Sequence, residues 1–192
     1  IIDGQEVKIP VVTDNQDLEL IASSPVKMRK KEEKHLINTL DRLMPEEKQR
    51  VFLDLGIKKS ELAKAVISFS PLARYDVKDR LGKLAEELGV TLEKAAKAII
   101  SFPRLAGLDI KDRLGKLVEG LGVTQEEVAK AVIIFPQLAG YDVENNLKPK
   151  MALIRESGVD REMELQVLIN IATFNIDLLK TIVDEFKSRS SD

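Results

Sequence analysis

A 33-residue period constrains this chain more than any other feature. Phe69, Phe102 and Phe135 stand 33 apart, as do Asp76, Asp109 and Asp142, and Gly56, Gly89 and Gly122. Segment 60–92 is identical to segment 93–125 at 21 of 33 positions. A unit of this length cannot bury its own apolar face, so consecutive units must stack and share a core. The next Gly-Val pair after Gly122-Val123 is Gly158-Val159, 36 residues on, which places three extra residues near Lys148-Pro149-Lys150. The period fades into 26–56 upstream and 159–187 downstream, as atypical capping units should.

Each unit reads as two helices and a tight connection. Thr91 and Thr124 begin the first helix, and Thr124 with Glu127 has the spacing of a capping box, in which hydroxyl and carboxylate satisfy free backbone N–H groups. Alanine-rich runs such as Ala95, Ala96 and Ala98 favour helix and let neighbours approach closely. Pro103 and Pro136 end that helix, and Pro71 does so one place later in its copy. The stretch 102–107 then reads as a short 3₁₀ turn. Asp76, Asp109 and Asp142 are placed to cap the second helix. Val77, Leu81, Leu84 and Leu88 share one face of it, and Gly89 and Gly122 close it as left-handed caps. Further helices are expected over 26–43, 46–55, 160–170 and 176–187, with Pro45 at or near the first turn of the second. Outside Lys8 to Thr13 no segment sustains a two-residue alternation. The expected fold is all-α, an α-solenoid of stacked ~33-residue helical repeats. It comprises an extended arm (1–25), one repeat domain (26–187, with clear repeats 57–89, 90–122 and 123–158) and a frayed tail (188–192).

Composition removes several functions. The chain has no Cys and one His, so disulfides, thiolate metal sites and a serine–histidine hydrolase are not expected. Absence of Cys fits an intracellular protein. No apolar run reaches membrane-spanning length, and no P-loop, dinucleotide-binding or nucleophile-elbow motif is present. We therefore expect no enzyme, metal, cofactor, small-molecule substrate or membrane partner. The chain begins at Ile1 rather than Met, which reads as an upstream segment missing or removed; no signal or transit peptide is visible. Net charge is −2, but it is uneven. Segment 1–25 carries −4, 26–60 carries +4, 61–158 carries +1 and 159–192 carries −3.

The sequence Leu121-Gly122-Val123-Thr124, then Phe135-Pro136-Gln137-Leu138, then Asn146-Leu147-Lys148-Pro149-Lys150 resembles a repeat of the mitochondrial transcription termination factor (mTERF) family. The two preceding units keep the Leu-Gly-Val-Thr caps and Phe102-Pro103-Arg104-Leu105. They depart at the start of the second helix, with Arg80-Leu81-Gly82-Lys83 and Arg113-Leu114-Gly115-Lys116, and Phe69-Ser70-Pro71-Leu72 shifts the proline. The resemblance spans residues 55–158. It implies a curved superhelix, nucleic-acid binding (DNA or RNA) in a concave groove, and a role in gene expression in a mitochondrion or chloroplast.

A nucleic-acid groove needs cations at a regular rise, because affinity comes largely from releasing counterions on phosphates. The second helices offer Lys78, Arg80 and Lys83, then Lys111, Arg113 and Lys116, then Lys148 and Lys150. Stacked, they would form a basic ladder for backbone contact. The competing reading is a solvated face, neutralised locally by Asp79, Glu86 and Glu87. Lys27 to Lys34 is the densest basic stretch and reads best as an exposed helix with Lys/Glu pairs. His35 beside it reads as a surface residue. Phe69, Phe102 and Phe135 read as packing residues. The rival function is a scaffold that binds another protein along the concave surface.

Overall fold

A computed structural model describes residues 30–181 and 183. The expected arm at 1–25, the alternation at Lys8 to Thr13, the start of the basic stretch and the tail at 188–192 lie outside them. Among the described residues the chain is helical, with no strand. The α-helices are α1 (Lys30–Leu43), α2 (Glu46–Asp54), α3 (Lys59–Ser68), α4 (Val77–Leu88), α5 (Leu92–Ser101), α6 (Ile110–Leu121), α7 (Gln125–Ile134), α8 (Lys148–Glu156) and α9 (Glu164–Ile171). Short 3₁₀ turns, Ser70–Ala73, Pro103–Gly107 and Pro136–Gly140, link odd helices to even ones.

The boundaries follow the capping chemistry. Thr91 and Thr124 accept from Lys94 and Glu127 N–H groups at 3.3 and 3.2 Å, and Glu127 reaches back to Thr124 N at 2.6 Å. Asp76, Asp109 and Asp142 each accept from the N–H three residues on, at 3.1, 3.2 and 2.9 Å. Gly89 and Gly122 end α4 and α6 at φ of 62° and 61°, a region that costs a side chain strain. Pro45 stands at the N-cap of α2, one residue before its N1 position.

One element departs from the expected pattern. The three extra residues lengthen the second helical segment, which runs as a π turn over Val143–Leu147 into α8 and on to Glu156 before the left-handed Gly158. Leu147 N–H donates to Asp142 O at 3.1 Å, five residues back. Pro149, lacking an N–H, cannot bond Asn145 O as an α-helix would require, and the wider turn tolerates the missing donor. Near the C-terminus, the helix expected over 160–170 opens as a 3₁₀ turn, Arg161–Met163, and continues as α9. Residues 176–181 and 183 are helical.

Elements pack on their counterparts one period away. Odd helices contact in the series α1, α3, α5, α7, α9, and even helices in the series α2, α4, α6, α8. The three 3₁₀ turns touch in order as well. Every apolar position on the even-helix stripe, Val77, Leu81, Leu84, Leu88 and then Ile110, Leu114, Leu117, Leu121, is buried in one continuous core.

Aromatics set the spacing of the turns. The Tyr75 hydroxyl abuts Gly107, where an added Cβ would lie 2.7 Å from it. Phe102 abuts Gly140, where a Cβ would lie 2.8 Å from the ring. Phe69 and Phe135 pack beside Tyr75 and Tyr141, with ring centroids 6.3 and 6.1 Å apart. All three phenylalanines are half-buried against the core, in keeping with a packing role.

Candidate nucleic-acid interface

The even helices carry the basic candidates, but they hold them in three different ways. The first is local pairing. Lys83 bonds Asp79 at 2.9 Å, Lys116 bonds Asp112 at 2.7 Å and Lys148 bonds Glu144 at 2.6 Å. Each acid lies four residues earlier, in the favourable orientation for a helix. These pairs are solvent-exposed and contribute little, so a phosphate could replace the carboxylate at small cost.

The second is engagement with the neighbouring unit. Arg113 Nε donates to Ala139 O at 2.6 Å, and Nη2 donates to Tyr141 O. Both carbonyls end the following 3₁₀ turn, so this guanidinium satisfies backbone acceptors that have no helical partner. Lys150 goes further. Its side chain is 1% exposed, and Nζ donates to Asn146 Oδ1 at 2.8 Å and to Ala172 O at 2.6 Å. Burial pushes its ammonium below the usual lysine range. Both groups are engaged with backbone carbonyls of the next unit. Arg113 and Lys150 therefore join the packing between units, and the ladder is shorter than the sequence pattern suggests. Their spacing looks regular because the packing demand recurs with the same period as the helices.

The third arrangement leaves the cation available. Lys78 and Lys111 are exposed and make no ion pair or side-chain hydrogen bond among the described residues. Arg80 makes none either, and its guanidinium lies over the Tyr75 ring, 5.4 Å from the centroid.

Two residues escape a reading of the sequence alone. Lys48 on α2 donates to Ala73 O and Arg74 O at 3.0 and 3.2 Å, the same tie that Arg113 makes two units later. Arg74 is an exposed cation in the slot that Gly107 and Gly140 fill in later copies. The signal is present, since aligning the copies shows a charged residue where the others have glycine.

Three clefts repeat with the period, each between an even helix and the start of the next. The first, of about 470 Å³, lies between α2 and α4 and is lined by Lys48, Arg74, Asp76 and Lys78. The second, of about 620 Å³, lies between α4 and α6 with Arg80, Lys83, Asp109 and Lys111. The third, of about 520 Å³, lies between α6 and the π turn with Arg113, Lys116, Glu119, Asp142 and Glu144. Glu47 also lines the first cleft and Glu86 and Glu87 the second, so the first has a cationic excess, the second is balanced and the third is acidic. There Glu144 and Asn146 replace the lysine and arginine of the earlier copies. Among the described residues no cluster of His, Asp or Glu has the arrangement of a metal site. His35 is exposed. No helix among them is long and apolar enough to cross a membrane.

Comparison of the chain with protein-family models, with curated proteins and with solved structures found no match.

Proposed function

We propose that the protein is a helical-repeat module, an α-solenoid of ~33-residue units, that binds nucleic acid through the even-helix side of its first two units. The observation that carries this reading is the recurrence of unengaged cations at equal positions, Lys78 and Lys111, with Arg80 and Arg74 beside them. Lys83 and Lys116 join them once phosphate displaces their weakly paired acids. The contact is to the backbone, and any sequence choice is made by nucleic-acid shape or a few side chains. The resemblance to mTERF repeats supports the same reading and implies an organellar role in gene expression.

A titration of the full chain with double-stranded DNA, single-stranded DNA and RNA, at two salt concentrations, tests it. Salt-sensitive binding is expected, weakened when Lys78, Arg80 and Lys111 are replaced by Glu. No binding above background at low salt overturns the reading.

A second reading, a protein-binding scaffold, is favoured by one feature. A cleft of about 760 Å³ between the end of α4 and α7 is lined by Leu88, Val90, Ile133 and Ile134. Ile134 is 66% exposed there, and apolar surface in a concavity is what a partner side chain fills. Failure of the nucleic-acid titration would direct attention to that cleft.

A further inference from the structure

We propose that the cleft between α4 and the turn Pro103–Gly107 anchors one phosphodiester group of the bound strand on Arg80, so that Arg80 and Arg113 do different work from the same position of consecutive units. The inference rests on the nucleic-acid reading above and names the point of contact within it.

Arg80 stands out against a series. Lys48 ties Ala73 O and Arg74 O, Arg113 ties Ala139 O and Tyr141 O, and Lys150 ties Ala172 O. In each case a cation satisfies carbonyls at the end of the following unit's odd helix or turn. Arg80 occupies the position of Arg113 one period earlier, beside Ala106, Gly107 and Leu108. Yet it makes no such bond; its guanidinium lies on the Tyr75 ring instead. The cause lies five residues upstream. Arg80 has Tyr75 there and Arg113 has Leu108. A guanidinium gains by lying on an aromatic face, whereas over leucine it has nothing to hold it back from the carbonyls.

That placement suits a phosphate. The contact with Tyr75 holds the guanidinium near the cleft without occupying any of its N–H groups in a hydrogen bond, and those groups form the planar fork that fits two phosphate oxygens. Lys111 lines the same cleft without an ion-pair partner, and Lys83 lines it in an exposed pair. Asp109 is turned to its capping role, accepting from Asp112 N–H. Glu86 and Glu87 line the cleft too, about a turn beyond Lys83 on α4, so the phosphate is placed on Arg80, six and seven residues before them. The third cleft has no such group, because Arg113 is already bonded to backbone; in the first, Lys48 is bonded likewise and the free cations, Arg74 and Lys78, are exposed without a ring to place them.

The test uses the full chain and whichever of duplex DNA, single-stranded DNA and RNA it binds in the titration above, with binding measured across a salt series and thermal melting measured in parallel. Removing one cation from a phosphate lowers the slope of log affinity against log salt by about one. Arg80→Ala is expected to lower the slope by about one and to leave the melting temperature near that of the parent. Arg113→Ala is expected to keep the slope and lower the melting temperature. Should Arg113→Ala not fold, Arg113→Lys replaces it with the same expectation in weaker form. An unchanged slope for Arg80→Ala, whatever its melting temperature, overturns the proposal and makes Arg80 one more tie between units. A parent that binds neither DNA nor RNA overturns the nucleic-acid reading itself, so the two failures are distinguishable.

Discussion

A single methyl group has opposite consequences at two glycines of this chain. Gly140 faces the Phe102 ring, 2.8 Å from where a Cβ would sit. Gly140→Ala is expected to cost about 1–3 kcal/mol, because the ring belongs to a packed turn and cannot move away freely. Gly115 lies mid-helix in α6 with nothing within 4 Å of an added Cβ. Gly115→Ala is expected to gain about 0.5–1 kcal/mol by removing backbone freedom from the unfolded chain. Urea unfolding of the two variants reads both signs. Leu114, 2% exposed, should lose about 2–5 kcal/mol on truncation to Ala, and a loss near zero would put the helical register in doubt. The buried stripe is legible in the sequence because apolar spacing is a one-dimensional signal. The division among basic residues is not. Lys78, Arg113 and Lys150 look alike as letters, and what separates them is the position of a carbonyl in the next unit or a ring in their own.

At the scale of the element, the caps are legible and the π turn is not. Thr and Asp before a helix, and Gly after it, act through bonds to residues three or four away, so their pattern survives in the sequence. The π turn is a compromise between Pro149 and the need to keep Val143 and Leu147 buried, and only the packed neighbours decide it. Gly120 shows the same dependence. It stands where the preceding unit has Glu87, and an added Cβ there would collide with Val143 of the π turn. The caps also carry a pH signature. Asp142 is held below the usual aspartate range by the Asn145 N–H and then by the Asn145 side chain. Glu127 is lowered by the Thr124 N–H and then by its hydroxyl. A carboxylate with a lower pKa in the folded state contributes stability above its unfolded value, and that contribution is lost as pH falls through the folded one. The first turns of α7 and of the π turn should therefore keep their caps down through the ordinary carboxylate range and loosen below it. Side-chain carbonyl shifts followed by NMR across an acid titration would show these two groups titrating after the exposed, unbonded carboxylates.

Across the whole molecule, cohesion passes from unit to unit through groups that reach one period onward. At the C-terminal side the link is ionic. Glu164, only 8% exposed at its side chain, accepts from Arg155 at 2.9 Å and Arg161 at 2.7 Å. Those arginines in turn donate to Leu121 O and Gly122 O at the end of α6. Glu164→Ala is expected to cost about 2–4 kcal/mol, since it leaves two guanidinium groups without the carboxylate that positions them. Because units contact only near neighbours, the fall in protection should be confined to α8 and α9, which hydrogen exchange resolves by segment. The paired aromatic and glycine of the turns have a further consequence, for how such a chain can grow. A unit carries an aromatic that demands a glycine ahead of it and a glycine that admits an aromatic behind it. The aromatic differs between the two contacts, but segment 93–125 holds both Phe102 and Gly107, so an internal copy of it brings both partners of the Phe102–Gly140 kind of joint. Lengthening by internal duplication therefore keeps that contact, and Arg74 marks the first unit as the one that lacks the glycine.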